Sequence, residues 1–268
     1  MQLATQNKEF SGIFTRELPH SRFEDADYLA MICHEIGTPL TVILGISQIL
    51  ANVECSPQKK KECAEVLRDS SNMLMELINN MLDSSKLDSG SVELERIPFD
   101  LAKTLEEAKN IITGKAAEKS LEVHMRIDGS YPAVFMGDPL RIRQILLNLL
   151  GNAVKFTSRG IISLTMTEGA VLNGYSQVCI TVADCGIGIE QEQLEKIFGK
   201  CAQANPGISR KYGGTGLGLF ISQELAHLMN GNITVKSQPH KGSEFTVTLP
   251  LMKASIPVAS LKPIQGND

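Results

Sequence analysis

The stretch Cys33-His34-Glu35-Ile36-Gly37-Thr38-Pro39-Leu40 lies inside an apolar pattern that decides how the first third of the chain folds. Leu29, Ile36, Ile43 and Leu50 recur every seven residues, and Ile32, Pro39, Ile46 and Val53 fill the complementary row. Two interleaved rows at this spacing make the seam of a helix packed in a bundle or coiled coil. His34 then falls at position f, farthest from the seam, so its imidazole is expected to face solvent. Thr38 shares that face one turn away, where a hydroxyl could orient water toward a group carried on the imidazole. Glu35 lies about 100° round the helix, and its carboxylate can set the imidazole tautomer from the side. Pro39 brings no amide to the carbonyl of Glu35, and Gly37 weakens the same turn, so a deformable turn is expected beside the histidine.

Beyond a break around residues 53–57, Pro57 is placed to open a second helix that runs to about Leu87. Leu67, Leu74 and Met81 repeat at seven-residue spacing there, with Ala64, Leu77 and Ile78 beside them, and Ser89-Gly90 ends the helix. One hairpin cannot bury both seams. Two hairpins make a four-helix bundle, so a homodimer is expected. From about Arg96 the pattern changes to alternating helices (100–119, 138–156, 190–198, 216–229) and strands (121–127, 161–167, 177–183, 233–236, 244–249). The expected fold class is therefore α plus α/β, a helical hairpin forming a dimeric four-helix bundle, followed by an α/β sandwich. Its divisions are 1–24 as linker or end of an input segment, 25–90 as the hairpin, 91–252 as the sandwich and 253–268 as a tail.

Composition narrows the function classes. An apolar fraction of 43% supports real cores, and a formal charge of -4 gives no basic footprint for nucleic acid. Six cysteines (Cys33, Cys55, Cys63, Cys179, Cys185, Cys201) show no metal-binding spacing and read as reduced thiols of a cytoplasmic protein. No uninterrupted apolar run of about 18 residues is present, so no membrane segment is expected, and residues 1–24 lack the apolar core of a signal peptide. Such a chain can equally be the soluble part of a longer receptor.

The ligand chemistry concentrates in the second half. Asn148, Asn152 and Lys155, in the run ending at Phe156, are spaced four and three apart on one helical face. Amide oxygens suit a hard cation such as Mg²⁺, and an ammonium suits phosphate; a solvated polar face would show the same residues. Asp184-Cys185-Gly186-Ile187-Gly188-Ile189 follows a strand, and its aspartate can accept from an exocyclic amine while Gly186 and Gly188 admit a ring to the backbone. Lys211 precedes Gly213-Gly214-Thr215-Gly216-Leu217-Gly218, which runs straight into a helix and offers free amides to a polyphosphate. The segment 198–212 ahead of it reads as a lid.

In order and spacing these motifs resemble the sensor histidine kinases of two-component systems, over about residues 25–251. The helix around His34 looks like the H box, 148–156 the N box, 184–189 the G1 box, 197–203 the F box and 213–219 the G2 box. Lys86-Leu87 at the hairpin exit and Lys211-Tyr212-Gly213-Gly214-Thr215 look most like the hybrid-kinase branch. The resemblance implies a Bergerat-type ATP-binding domain, phosphorylation of His34 from ATP with Mg²⁺ on Asn152 and Asn148, and adenine read by Asp184. It also implies transfer to an aspartate on a response regulator receiver domain, with Glu35 assisting the attack and Thr38 supporting the reverse hydrolysis. The residues left after Leu251 are too few for a receiver domain, so the regulator is expected on another chain. The family usually has arginine where Gly37 stands and a second F-box phenylalanine where Cys201 stands. These departures keep a second reading open, a catalytically weak scaffold that binds nucleotide and partner.

Overall fold

A computed structural model describes residues 25–52, 55–128, 134–200 and 216–254. The hairpin comprises α1 (Asp25–Asn52) and α2 (Pro57–Asp88). Ser56 caps α2, its hydroxyl accepting the amide of Lys59, and Pro57 occupies the first turn where a missing N–H is harmless. At the far end Gly90, at φ +63°, turns the chain so that the amides of Gly90 and Ser91 reach the carbonyls of Leu87 and Lys86.

Ile32 and Pro39 are buried and Ile36, Ile43, Ile46 and Leu50 half-buried, as the seam requires; the side chains of Leu29 and Val53 lie outside the described residues. Among the described residues, nine of the sixteen exposed large apolar side chains lie on these two helices, among them Leu44, Met73, Met75 and Leu82, all more than half exposed. The second helix departs from expectation at Met81, which packs against the core of the following domain. Among the described residues one segment, Ile32–Ala51, is long and apolar enough to cross a membrane, by length and composition only, beside the expectation of none. The polar residues Thr38, Thr41, Ser47 and Gln48 interrupt its apolar run without removing its high mean hydropathy.

The second unit runs β1 (Ile97–Asp100), α3 (Leu101–Glu118), β2 (Glu122–Asp128), β3 (Val134–Gly137), α4 (Pro139–Phe156), β4 (Ile161–Leu172), β5 (Tyr175–Ala183), α5 (Gln191–Leu194), α6 (Leu217–Leu228), β6 (Asn232–Gln238) and β7 (Gly242–Lys253). Among the described residues the strands form one sheet in the order β1-β3-β7-β5-β4-β2, with β6 also paired to β7. Every pair is antiparallel except β2 with β4. Alternate residues of β4, β5 and β7, such as Leu164, Ile180 and Val247, are fully buried against Leu105, Ile145, Leu149 and Ile221 of the helices. The opposite face carries Thr165, Thr181 and Thr246, half-buried, with Thr181 and Thr246 hydroxyls 3.0 Å apart. A mixed sheet with helices on one face is the α/β sandwich expected from the sequence.

Two short strands, β1 and β3, were not expected, and the helix expected over 190–198 is regular only over Gln191–Leu194. Asp100 and Asp138 set the starts of α3 and α4, accepting the amides of Lys103 and Arg141 at 3.1 and 3.0 Å. Asp138 also accepts the amide of Glu95 at 3.1 Å, tying the hairpin exit to the start of α4.

Candidate nucleotide and phosphoacceptor site

His34 is exposed on α1, as its heptad position requires. Thr38 lies one turn on, with its hydroxyl donating to the carbonyl of His34 at 3.2 Å. The hydroxyl is thus turned back on its own helix, a common role for mid-helix threonine. Thr41 does the same to Gly37 at 2.7 Å, so two hydroxyls support the turn from which Pro39 withholds an amide.

On α4, Asn148, Asn152 and Lys155 are each half-buried, between core residues such as Leu149, Ala153 and Val154. The Nδ2 of Asn148 donates to Ser222 Oγ of α6 at 2.8 Å, so Oδ1 is its atom with lone pairs to offer a cation. Gly218 sits in the first turn of α6 against this amide: a Cβ there would lie 2.2 Å from Oδ1. Its bareness therefore serves the α4–α6 contact as well as any phosphate loop. Gly216, at φ +68°, caps α6, and Leu217 is fully buried. Lys211, Gly213, Gly214 and Thr215, together with Cys201, lie outside the described residues.

The Asp184 carboxylate accepts the amide of Gly186 at 2.7 Å. Burial pushes its pKa above the usual aspartate value, with the amides of Gly186 and Ser243 opposing. The two glycines of the loop are explained by protein rather than by a ring. A Cβ on Gly186 would meet the Phe156 carbonyl oxygen at 2.5 Å, and one on Gly188, at φ +71°, the Gln238 carbonyl oxygen at 2.0 Å. The amide of Ile187 also donates to Phe156 O at 3.3 Å, so the loop is stitched to the end of α4.

Burial lowers the pKa of Lys155, and the carboxylates of Glu76 and then Glu35 counter it from the hairpin. Its Nζ lies 5.0 Å from the Phe156 ring centroid. Lys119 caps the end of α4, donating to the carbonyls of Val154 and Lys155 at 2.8 and 3.1 Å. An open depression of about 310 Å³ lies at this end, lined by Lys119, Lys155, Phe156, Thr157 and Ser158.

Sequence reasoning missed Ser222, Ser243, Glu76 and Gly242. Ser222 was within reach, since it follows Gly218 by four residues and shares its helical face. A Cβ on Gly242 would lie 1.9 Å from the Asp184 carbonyl oxygen, a contact between remote segments that no local pattern announces.

A family model described as histidine kinase-, DNA gyrase B- and HSP90-like ATPase matches residues 137–253, and one described as His kinase A (phospho-acceptor) domain matches 25–90. The chain is 38% identical over 244 residues to the signal transduction histidine-protein kinase BarA of Escherichia coli K12, covering 91% of this chain and 26% of BarA. It is 39% identical over 250 residues to the sensor protein GacS of Pseudomonas syringae pv. syringae, covering 93% of this chain and 27% of GacS. Among solved structures, full-length ShkA in complex with AMPPNP matches with a TM-score of 0.64 at 30% identity, over 86% of this chain and 47% of that one. The chain spans about a quarter of the length of the curated relatives it matches. Fold and site together define a helical hairpin joined to an ATP-binding α/β domain. The chain belongs to the sensor histidine kinases, and it carries their phosphoacceptor and ATPase modules. The helix of membrane-spanning composition falls inside the phosphoacceptor match.

Proposed function

We propose that this chain is an ATP-dependent autokinase that phosphorylates His34 and passes the phosphoryl group to an aspartate of a response regulator receiver domain. The observation that carries it is an exposed His34 on a hairpin whose Asp83 is hydrogen-bonded to Gln144 of α4, the helix that carries the half-buried polar stripe Asn148, Asn152 and Lys155. A neutral imidazole nitrogen attacks the γ-phosphorus, the bond to the bridging oxygen of ADP breaks, and ADP leaves with that electron pair. Glu35 orients the ring and takes up the charge developing on its second nitrogen. Asn152 and Asn148 present amide oxygens suited to Mg²⁺, which when bound neutralises phosphate oxygens. Lys155 adds a positive charge beside the transferring group, and Asp184 accepts from the adenine amine. Lys211 and the loop around Gly213, Gly214 and Thr215 are assigned to the phosphates from their resemblance to the G2 box.

The exposed apolar side chains of the hairpin favour a homodimer in the cytoplasm, with the Ile32–Ala51 face covered by a second hairpin in place of lipid. On the regulator, the N–P bond breaks and an acyl phosphate forms. Thr38 supports hydrolysis of that acyl phosphate, since its hydroxyl oxygen retains lone pairs while it donates to His34. The test is incubation of the purified protein with Mg-ATP. Acid-labile, alkali-stable phosphate is expected on the wild type and none on His34→Gln, with nucleotide affinity unchanged because the histidine lies on the other module. Nucleotide binding without any labelling of the wild type would favour a scaffold.

A further inference from the structure

The last three turns of α2 present Leu77, Met81, Ser84 and Leu87 on one stripe, at spacings of four, three and three. Leu77 and Ser84 are buried, while Met81 and Leu87 pack against the core of the ATP-binding domain. Two carboxylates flank the stripe, and each meets a cation of that domain. Asp83 accepts Gln144 Nε2 at 2.7 Å and lies 3.7 Å from Arg141 Nη1. Asp88 pairs with Lys200, whose Nζ also stands 5.9 Å from the Phe220 ring centroid.

The partners of Asp83 sit on a telling helix face. Arg141, Gln144, Asn148, Asn152 and Lys155 follow one another at spacings of three, four, four and three, so they form one continuous stripe of α4. Asp83 grips one end of that stripe. At the other end burial lowers the Lys155 pKa, and the carboxylates of Glu76, two turns earlier on α2, and Glu35, on α1, oppose that shift. The proposed metal-holding asparagines lie on the same stripe, between the residues held by Asp83 and Lys155. The Asp83 contact therefore bears on how the polar stripe of α4 is turned relative to the hairpin.

We propose that Asp83 and Asp88 are positioning residues for autophosphorylation, holding the ATP-binding domain on the hairpin so that the Asn152–Lys155 edge of α4 is presented to the turn bearing His34. The inference rests on the autokinase reading. It assigns these carboxylates no contact with ATP, so losing them should lower the maximal rate and leave nucleotide affinity alone.

The test is initial-rate autophosphorylation of the full chain across a range of Mg-ATP concentrations, with thermal melts of every variant. Combining Asp83→Lys with Asp88→Lys sets like charges against Arg141 and Lys200, and the maximal rate should fall at least about tenfold at unchanged KM for ATP. The milder Asp88→Asn, at a largely exposed position, should fold normally and lower the rate about two- to threefold. The exchange Asp88→Lys with Lys200→Asp restores the pair with reversed polarity and should recover the rate to within about threefold of wild type. An unchanged or raised maximal rate in the Asp83→Lys, Asp88→Lys protein would overturn the proposal. So would a loss that the exchange fails to recover, or one that appears in KM. A wild type that takes up no phosphate would instead refute the autokinase reading.

Discussion

Adding one methyl group at Gly218 tests whether Asn148 takes part in the reaction, because the structure lets the effects on stability and on activity be separated. The new Cβ would fall 2.2 Å from Asn148 Oδ1, 3.0 Å from its Cγ and 3.3 Å from its Nδ2. A comfortable carbon–oxygen contact is roughly 3.3 Å, so the amide must retreat by about 1 Å. It cannot do so freely, since Nδ2 is held by Ser222. Losing that bond costs about 1 kcal/mol and an off-rotamer Asn about another 1 kcal/mol. Replacing glycine by alanine within a helix returns up to about 1 kcal/mol. The net loss is about 1 kcal/mol, or roughly 2–4 °C in Tm for a domain of this size. Activity should respond far more, because displacing a catalytic group by about 1 Å can cost roughly a hundredfold. The assay pairs a thermal melt with single-turnover labelling by γ-labelled ATP. Gly218→Ala labelling within twofold of wild type would remove Asn148 from the mechanism. A Tm drop several times larger than expected would show that the α4–α6 contact does not relax through this amide.

Other outcomes follow from single side chains. Burial raises the Asp184 pKa in the folded protein, so acidification should weaken adenine binding at a higher pH than an ordinary aspartate would. By linkage the folded form binds that proton more tightly than the unfolded chain, so the nucleotide-free protein gains stability as pH falls through the folded pKa; both effects should vanish in Asp184→Asn, followed by analogue titration and melts between about pH 4 and 7. Thr38→Ala should leave autophosphorylation within about threefold of wild type and slow the decay of regulator phosphate measured with ADP present; equal decay with both proteins would leave Thr38 a purely structural role. Ser84 Oγ is buried with no hydrogen-bond partner among the described residues, so Ser84→Ala should raise Tm by about 2–4 °C, and a fall would mean that the hydroxyl is satisfied.

The helices were legible because their signals are local. Heptads marked α1 and α2, and aspartates standing before apolar runs marked α3 and α4. The strands β1 and β3 were not, because four residues are too few to show alternation and β1 contains Pro98, tolerable only because that strand is an edge. At the site, residue types on one helix face were readable, as for Asn148 and Asn152. The reasons for the glycines were not: Gly186, Gly188 and Gly242 answer to carbonyls of Phe156, Gln238 and Asp184, which approach from other parts of the chain. Met81 was misplaced for a related reason, since heptad spacing says that a face is apolar and not which neighbour covers it.

The strand order has a consequence for how each molecule comes into being. β7, the last strand of the sheet in chain order, pairs with β5 along one edge and with β6 and β3 along the other. Until residues 242–253 leave the ribosome, β1 and β3 have no ladder among the described residues joining them to the rest of the sheet, and Asp184 lacks the neighbouring Gly242 and Ser243. The packing of α1 on α2 needs none of those residues, although the end of α2 also meets the ATP-binding domain. Chains fold from the N-terminus as they are made, and local contacts form fastest. In the proposed homodimer a nascent hairpin is therefore ready to meet a second one while its own ATP-binding domain is still unfinished, ahead of any encounter with nucleotide.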